Sequence, residues 1–251
     1  MARLLSIACS VVVLLCCSCE QKPRVRPTGK VSFGLSHQTQ GKPPVHLQLA
    51  DGEVEIDEAV LVVSAFELHL CPGKEGRRLS DLLVPPVYAH VASSGTRLGV
   101  PYAETLLENS GAAKMVGEIA PPLGTYCRGY AVVAPADTDV VNISGIDTAD
   151  LVGSTLVVRG RLRPEGAGEW ADFTSATDAR RAIPFDLSDP KTGERPLRLK
   201  HPGADAFIVV AKDTDASSLQ ALRLADFHSS RPAGVWLDAM AKTFHMRVFS
   251  R

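Results

Sequence analysis

No apolar run in this chain is long enough to cross a bilayer as a helix. The longest, Leu4 to Leu15, is about a dozen residues with Ser6 and Ser10 inside it, against the roughly 20 that a hydrocarbon core requires. Charge of one sign is lacking too: 27 Lys and Arg stand against 28 Asp and Glu, which argues against a nucleic-acid surface built on a clustered basic excess. Catalytic signatures are missing. There is no G-x-S-x-G elbow, no H-E-x-x-H, no phosphate-loop lysine motif and no G-x-G-x-x-G. Regular strand–helix–strand alternation is absent, which excludes a doubly wound nucleotide fold. Aromatics are scarce at 6% and prolines number 17, a combination that points to many turns. What remains, 45% apolar and 22% charged, is the composition of an ordinary globular domain.

The amino-terminal stretch has a clear layout. Met1, Ala2 and Arg3 form a short positive start, the apolar run follows, and "LLCCSCEQ" then turns polar at Glu20, Gln21 and Lys22. That is the order of a secretory signal. A zinc site does not explain Cys16, Cys17 and Cys19, because such sites bring separated cysteine pairs with partners downstream. A small residue followed by Cys after a leucine-rich run resembles the lipobox of bacterial lipoproteins, with Ser18 at −1, Cys17 at −2 and Cys16 at −3, where that family usually has Leu. The resemblance covers about the first twenty residues. It implies that residues 1–18 are a signal peptide that is removed, and that Cys19 is acylated on its thiol and its new amino terminus. Several acyl chains, at about 0.8 kcal/mol per buried methylene, anchor a protein stably where one does not. In the same family an Asp after the Cys favours retention in the inner membrane; Glu20 stands here, so the expected location is the bacterial cell envelope, lipid-anchored, with the outer membrane favoured over the inner.

Residues 19–29 then form the lipidated Cys and a flexible tether, rich in Pro and basic residues. Processing leaves 233 of the 251 residues and a formal charge of −2, since Arg3 leaves with the signal. Residues 30–251 are expected to form one domain. Of the three cysteines in the mature chain, Cys19 is committed to lipid, which leaves Cys71 and Cys127 as a pair where disulfides persist.

Period-2 alternation runs through this domain. Val31, Phe33 and Leu35 share one face, as do Val45, Leu47 and Leu49. In "EAVLVVSAFELHLC" the part Ala59–Val63 is continuously apolar and reads as central; beyond it Phe66, Leu68 and Leu70 point inward, Glu67 and His69 outward. "VYAHVA" and "TRLGV" are shorter strand candidates, and "PYAETLLENSG" reads as a brief helix closed by Gly111. Thr125 to Ala134 reads as a strand with Tyr126, Arg128 and Tyr130 on one face and Cys127, Gly129, Ala131 and Val133 on the other. Its entry, "PLGTYC", resembles the proline–glycine–x–tyrosine turn of secreted β-sandwiches such as transthyretin-like and carboxypeptidase-regulatory-like domains; the likeness covers about six residues and implies a sandwich, not an activity. "STLVVRGRLR", "AIPFDL", "PLRLK" and "AFIVVAK" continue the pattern. Near the end, Leu219, Leu222 and Phe227 have helical spacing with Asp215 as a cap. Pro232 opens a second helix whose Val235, Trp236, Ala239, Met240 and Thr243 form one face. The expected fold is mainly β: an antiparallel β-sandwich with one or two short helices near the C-terminus.

Chemistry is thinly marked. "SDLL" and "LSDP" set Ser near Asp, but no histidine is tied to them. "ADTD" (136–139) and "KDTDA" (212–216) space carboxylates like calcium loops without the glycine and distal glutamate of an EF-hand, and Asx-rich turns explain both. His69 and Cys71, at i and i+2 on a strand, with His90 from another segment, would make a copper or zinc site, although Cys71 is also claimed by the disulfide. No catalytic residue, metal ligand or cofactor is therefore assigned. The reading is a membrane-anchored envelope lipoprotein that acts as a non-enzymatic binding or structural module. Its expected partners are the membrane, through its lipid, and another envelope protein or surface polymer. The alternatives are a periplasmic copper- or zinc-binding protein and a hydrolase without a recognisable motif.

Overall fold

The computed structural model describes residues 27–39, 43–71, 93–107, 112–143, 146–187, 197–214, 222–228, 233–242 and 244–250. The alternating segments are strands, and they form two sheets that share one core. The smaller sheet contains β1 (Lys30–Thr39), β6 (Lys114–Ile119), β12 (Asp205–Thr214) and β13 (Phe244–Ser250), in the order β13-β12-β1-β6. The larger is organised on β3 (Gly52–Leu70), which pairs with β2 (Val45–Leu49), β4 (Arg97–Leu98), β5 (Tyr102–Thr105), β7 (Gly124–Val133) and β8 (Leu156–Pro164). β9 (Ala171–Thr177) extends it beyond β8, and β10 (Arg181–Asp186) and β11 (Leu197–Leu199) both pair with β7.

Two bulges explain how β3 reaches 19 residues and why its middle is apolar on both faces. The register slips between Ile56 and Glu58 and again between Val63 and Ala65, and each extra residue reverses which face the following side chains take. The inward set therefore runs Val54, Ile56, then Ala59, Leu61, Val63, then Phe66, Leu68, all in the main core. The extra residue of the second bulge, Ser64, donates its hydroxyl to the Val132 carbonyl at 3.1 Å. Val60 and Val62 face the other way into a second core with Ala103, Val140, Ile146, Leu151 and Val157. That core lies under the segment carrying α1 (Thr148–Leu151), whose first turn is capped by Asp147 accepting from the Ala149 amide.

In the main core Phe33 of the smaller sheet stacks on Phe66 of the larger at 5.0 Å. Farther along, Phe173 of β9 meets Phe227 edge-on at 5.2 Å, and Phe227 meets Trp236 at 4.9 Å. These rings come from α2 (Ala225–His228) and α3 (Ala233–Ala241), which lie against β9. The two helices near the C-terminus are thus real and short.

Several details depart from the sequence reading. β1 and β12 are parallel, unlike every other named strand pair; they lie far apart in the chain, so no tight hairpin dictates their sense. Tyr102–Thr105 is a strand on β3, not a helix; so short a segment gains little from helix formation alone. Tyr126 is fully buried in the core, away from exposed Arg128, because the β3–β7 register slips at Cys127 and turns Tyr126 inward. Leu70, expected inside, is 54% exposed at the end of β3. On α3 Trp236 and Leu237 are buried while Val235 is exposed, so the buried face is rotated from the expected one. "VYAHVA", Asp215, Leu219, Pro232, Thr243 and residues 1–26 lie outside the described residues.

The Cys71–Cys127 disulfide is formed, with S–S 2.00 Å. It ties the end of β3 to the bulge of β7, where the Cys71 amide also donates to the Thr125 carbonyl at 2.8 Å. The proline–glycine turn before it is closed by the Tyr126 hydroxyl, which donates to the Pro122 carbonyl at 2.6 Å.

Candidate functional site

The most organised exposed surface is the solvent face of the larger sheet around β3 and β8. β8 reads "VVRGRLRP", and strand alternation sends Arg159, Arg161 and Arg163 to one side. Their partners across the ladder are Glu58, Glu55 and Glu53. The bulge at Asp57 makes this match: without it, Asp57 rather than Glu58 would oppose Arg159. The ion pairs measure 3.2 Å for Arg159–Glu58, 2.6 Å for Arg161–Glu55 and 2.5 Å for Arg163–Glu53. Arg159 also reaches Asp150 at 2.6 Å, and His46 lies 3.8 Å from Glu55. Gly160, between the arginines, has no room for a side chain, since a Cβ there would sit 2.0 Å from the Glu55 carbonyl oxygen.

Trp170, at the entry to β9, completes the surface. The guanidinium carbons of Arg163 and Arg161 stand 4.8 and 5.7 Å from its ring centroid, within cation–π range. Next to it, a cavity of about 240 Å³ opens between the β2–β3 and β8–β9 turns, lined by Gln48, Glu53, Arg163, Glu165 and turn backbone. It is smaller than a usual small-molecule site. Gly52 forms one wall with φ +155°, where a Cβ would meet the Arg163 carbonyl at 2.4 Å. The turns around this surface add Asp51, Glu165 and Glu169, and β9 adds Asp172. With the three arginines of β8 already paired, these carboxylates leave this end of the sandwich acidic.

The residues weighed from sequence come together only in part. Cys71 is consumed by the disulfide, which removes the thiolate from the His69–Cys71–His90 set; His90 lies outside the described residues. His69 instead lies 3.3 Å from the Glu67 carboxylate, and its ring is 4.7 Å from that of Tyr130. Among the described residues no three His, Cys, Asp or Glu side chains are grouped to hold a metal. Asp137 and Asp139 of "ADTD" lie in a turn in which the Val140 amide donates to the Asp137 carbonyl at 3.3 Å. Ser80, Asp81, Ser188, Asp189 and Cys19 lie outside the described residues.

Glu67 also meets the Arg97 guanidinium. The hydrogen bond with His69, and after it the Arg97 charge, hold this carboxyl below its ordinary range against the effect of burial. A lowered folded-state pKa adds stability above the unfolded value of about 4.3, lost as the pH falls through the folded value. Glu67→Gln should therefore flatten the acid limb of the stability profile, by under about 1 kcal/mol because the cluster is partly solvated. Urea midpoints measured across the acid range check this; parallel profiles for the two proteins would rule it out.

The ladder and Trp170 were missed by sequence reasoning. Their signal was present as two complementary period-2 stripes, "EVEIDE" and "RGRLR", which suit direct cross-strand pairing. Compared with known proteins, the chain matches no family model, no curated protein and no solved structure.

Proposed function

We propose that this chain is a membrane-anchored bacterial envelope lipoprotein whose sandwich is a non-enzymatic binding module, acting through the Trp170 face of the larger sheet. The observation that carries the binding reading is the Arg–Glu ladder packed on Trp170. Strand register holds these groups in place, so they meet a partner with little left to order, and an aromatic ring amid arginines is a common interface anchor. The acidic turns around it fit a partner with exposed cationic groups, either another envelope protein or a surface polymer. The Cys71–Cys127 bridge supports the envelope location, because disulfides persist in oxidising compartments. It also leaves Cys19 as the odd cysteine of the mature chain, at the position the lipobox resemblance assigns to lipid.

Two measurements test the reading. Intact mass of the detergent-extracted protein should show a chain that begins at Cys19 and carries acyl groups; an unmodified chain would remove the anchor. Capture from crosslinked envelopes should then yield a partner whose recovery falls at least several-fold with Trp170→Ala and is unchanged with Phe249→Ala. Equal recovery from both variants would place the binding surface elsewhere.

A further inference from the structure

The end of the sandwich where the chain emerges from residue 26 differs in charge from the Trp170 end. β1 starts there, held between two turns. The Gly29 amide donates to Pro121 at 2.9 Å, the Lys30 amide to Ala204 at 2.8 Å and the Leu123 amide to Pro27 at 3.2 Å. Beside these turns, on the outer face of the larger sheet, Arg128 stands opposite His69 and Arg198 opposite Thr125, with Lys200 just beyond β11. All three cations are exposed. Among the described residues none of them makes an ion pair, whereas all three arginines of β8 do. The carboxylates at this end are largely engaged: Glu118 with Lys30 at 2.7 Å, and Glu67 with Arg97. Asp205 is half-buried near Lys30, and Asp186 is the register neighbour of Arg128. Leu70, 54% exposed, adds an apolar contact beside the cations.

We propose that this end docks on a bilayer surface bearing anionic lipid headgroups, with Arg128, Arg198 and Lys200 toward the headgroup phosphates. The choice of occupant rests on the lipid-anchor reading and on chain length. From Cys19 to Lys30 is eleven residues, a reach of at most about 40 Å at roughly 3.5 Å per residue. The far end of β3 lies about 60 Å away at 3.3 Å per residue, many times the roughly 8 Å over which salt screens charge. The tether thus lets the basic end reach the membrane's field, and contact through that end leaves the acidic end outside it. Docked this way, the Trp170 face stands clear of the bilayer.

The test uses the chain from Glu20 to Arg251, which contains every described residue and cannot be acylated at Cys19. It is sedimented with vesicles of phosphatidylcholine alone and of phosphatidylcholine mixed with phosphatidylglycerol. Binding is expected on the mixed vesicles only, weakening with salt. Each of Arg128→Gln, Arg198→Gln and Lys200→Gln should weaken it roughly fivefold. The triple variant should abolish it with unchanged melting, and Arg223→Gln at the far end should leave it intact. Equal binding to neutral vesicles, no binding to either, or full binding by the triple variant (which keeps Lys22, Arg24 and Arg26 of the tether) would overturn the proposal. So would competition by inorganic phosphate at matched ionic strength, which would mark a phosphate site instead of a surface. Because the assay needs no acylation, a negative intact-mass result removes the anchor and leaves the docking result standing on its own.

Discussion

Phe66→Ala should lower the unfolding free energy by about 3–5 kcal/mol. Phe66 is 1% exposed and stacks on Phe33, which is 0% exposed, so the truncation removes a contact between the two sheets and leaves a hole that a close-packed interior refills poorly. The urea midpoint should fall while its slope is unchanged, since the surface exposed on unfolding stays nearly the same. Phe249→Ala is the comparison: that ring is 36% exposed on the edge strand β13, and its loss should cost much less. If the two variants were equally stable, the sheets would not be packed at Phe33 and Phe66.

Loss of the Cys71–Cys127 bridge should be as severe. The bridged residues are 56 apart, and closing a loop of that size in the unfolded chain contributes roughly 4 kcal/mol in the entropy model. For a domain of this length, that corresponds to a melting temperature lower by roughly 8–16 °C. The Cys71→Ser/Cys127→Ser variant should melt lower than the oxidised protein and be insensitive to reductant. If oxidised and reduced wild type melted together, the bridge would contribute nothing to stability. The effect bears on where the protein can work: in a reducing compartment it would lose the benefit of its only described cross-link.

How far the sequence foretold this structure depends on whether a feature is local. Val31, Phe33 and Leu35, or Leu47 and Leu49, reveal their inward face through alternation alone, and the envelope reading left only Cys71 and Cys127 to pair. The bulges at Asp57, Ser64 and Cys127 are another matter. Each is one residue out of step, and in an apolar run such as Ala59–Val63 a change of parity leaves no trace, because both faces are buried. Tyr126 was grouped with Arg128 on one face because nothing in the alternation marks the extra residue at Cys127 between them. The parallel pairing of β1 with β12 has no local turn to announce it. Trp170 lies in a turn segment whose neighbours, Arg161 and Arg163, are fixed only by the β8–β9 register. The proposed binding surface is therefore a product of pairing, and pairing is what a single sequence encodes least directly.

The place of β1 in its sheet sets an order of events. Its two neighbours are β6 on one side and β12 on the other, so the first of the described strands to leave the ribosome is an interior one. β2 to β11, by contrast, contain every named strand of the larger sheet in a stretch of chain interrupted only by β6 of the smaller one. Contacts between distant segments close late. Until Asp205 and the residues after it are available, Lys30–Thr39 has one hydrogen-bonding edge unmet, and the Phe33 side of the core lacks Ile208 and Val210 to cover it.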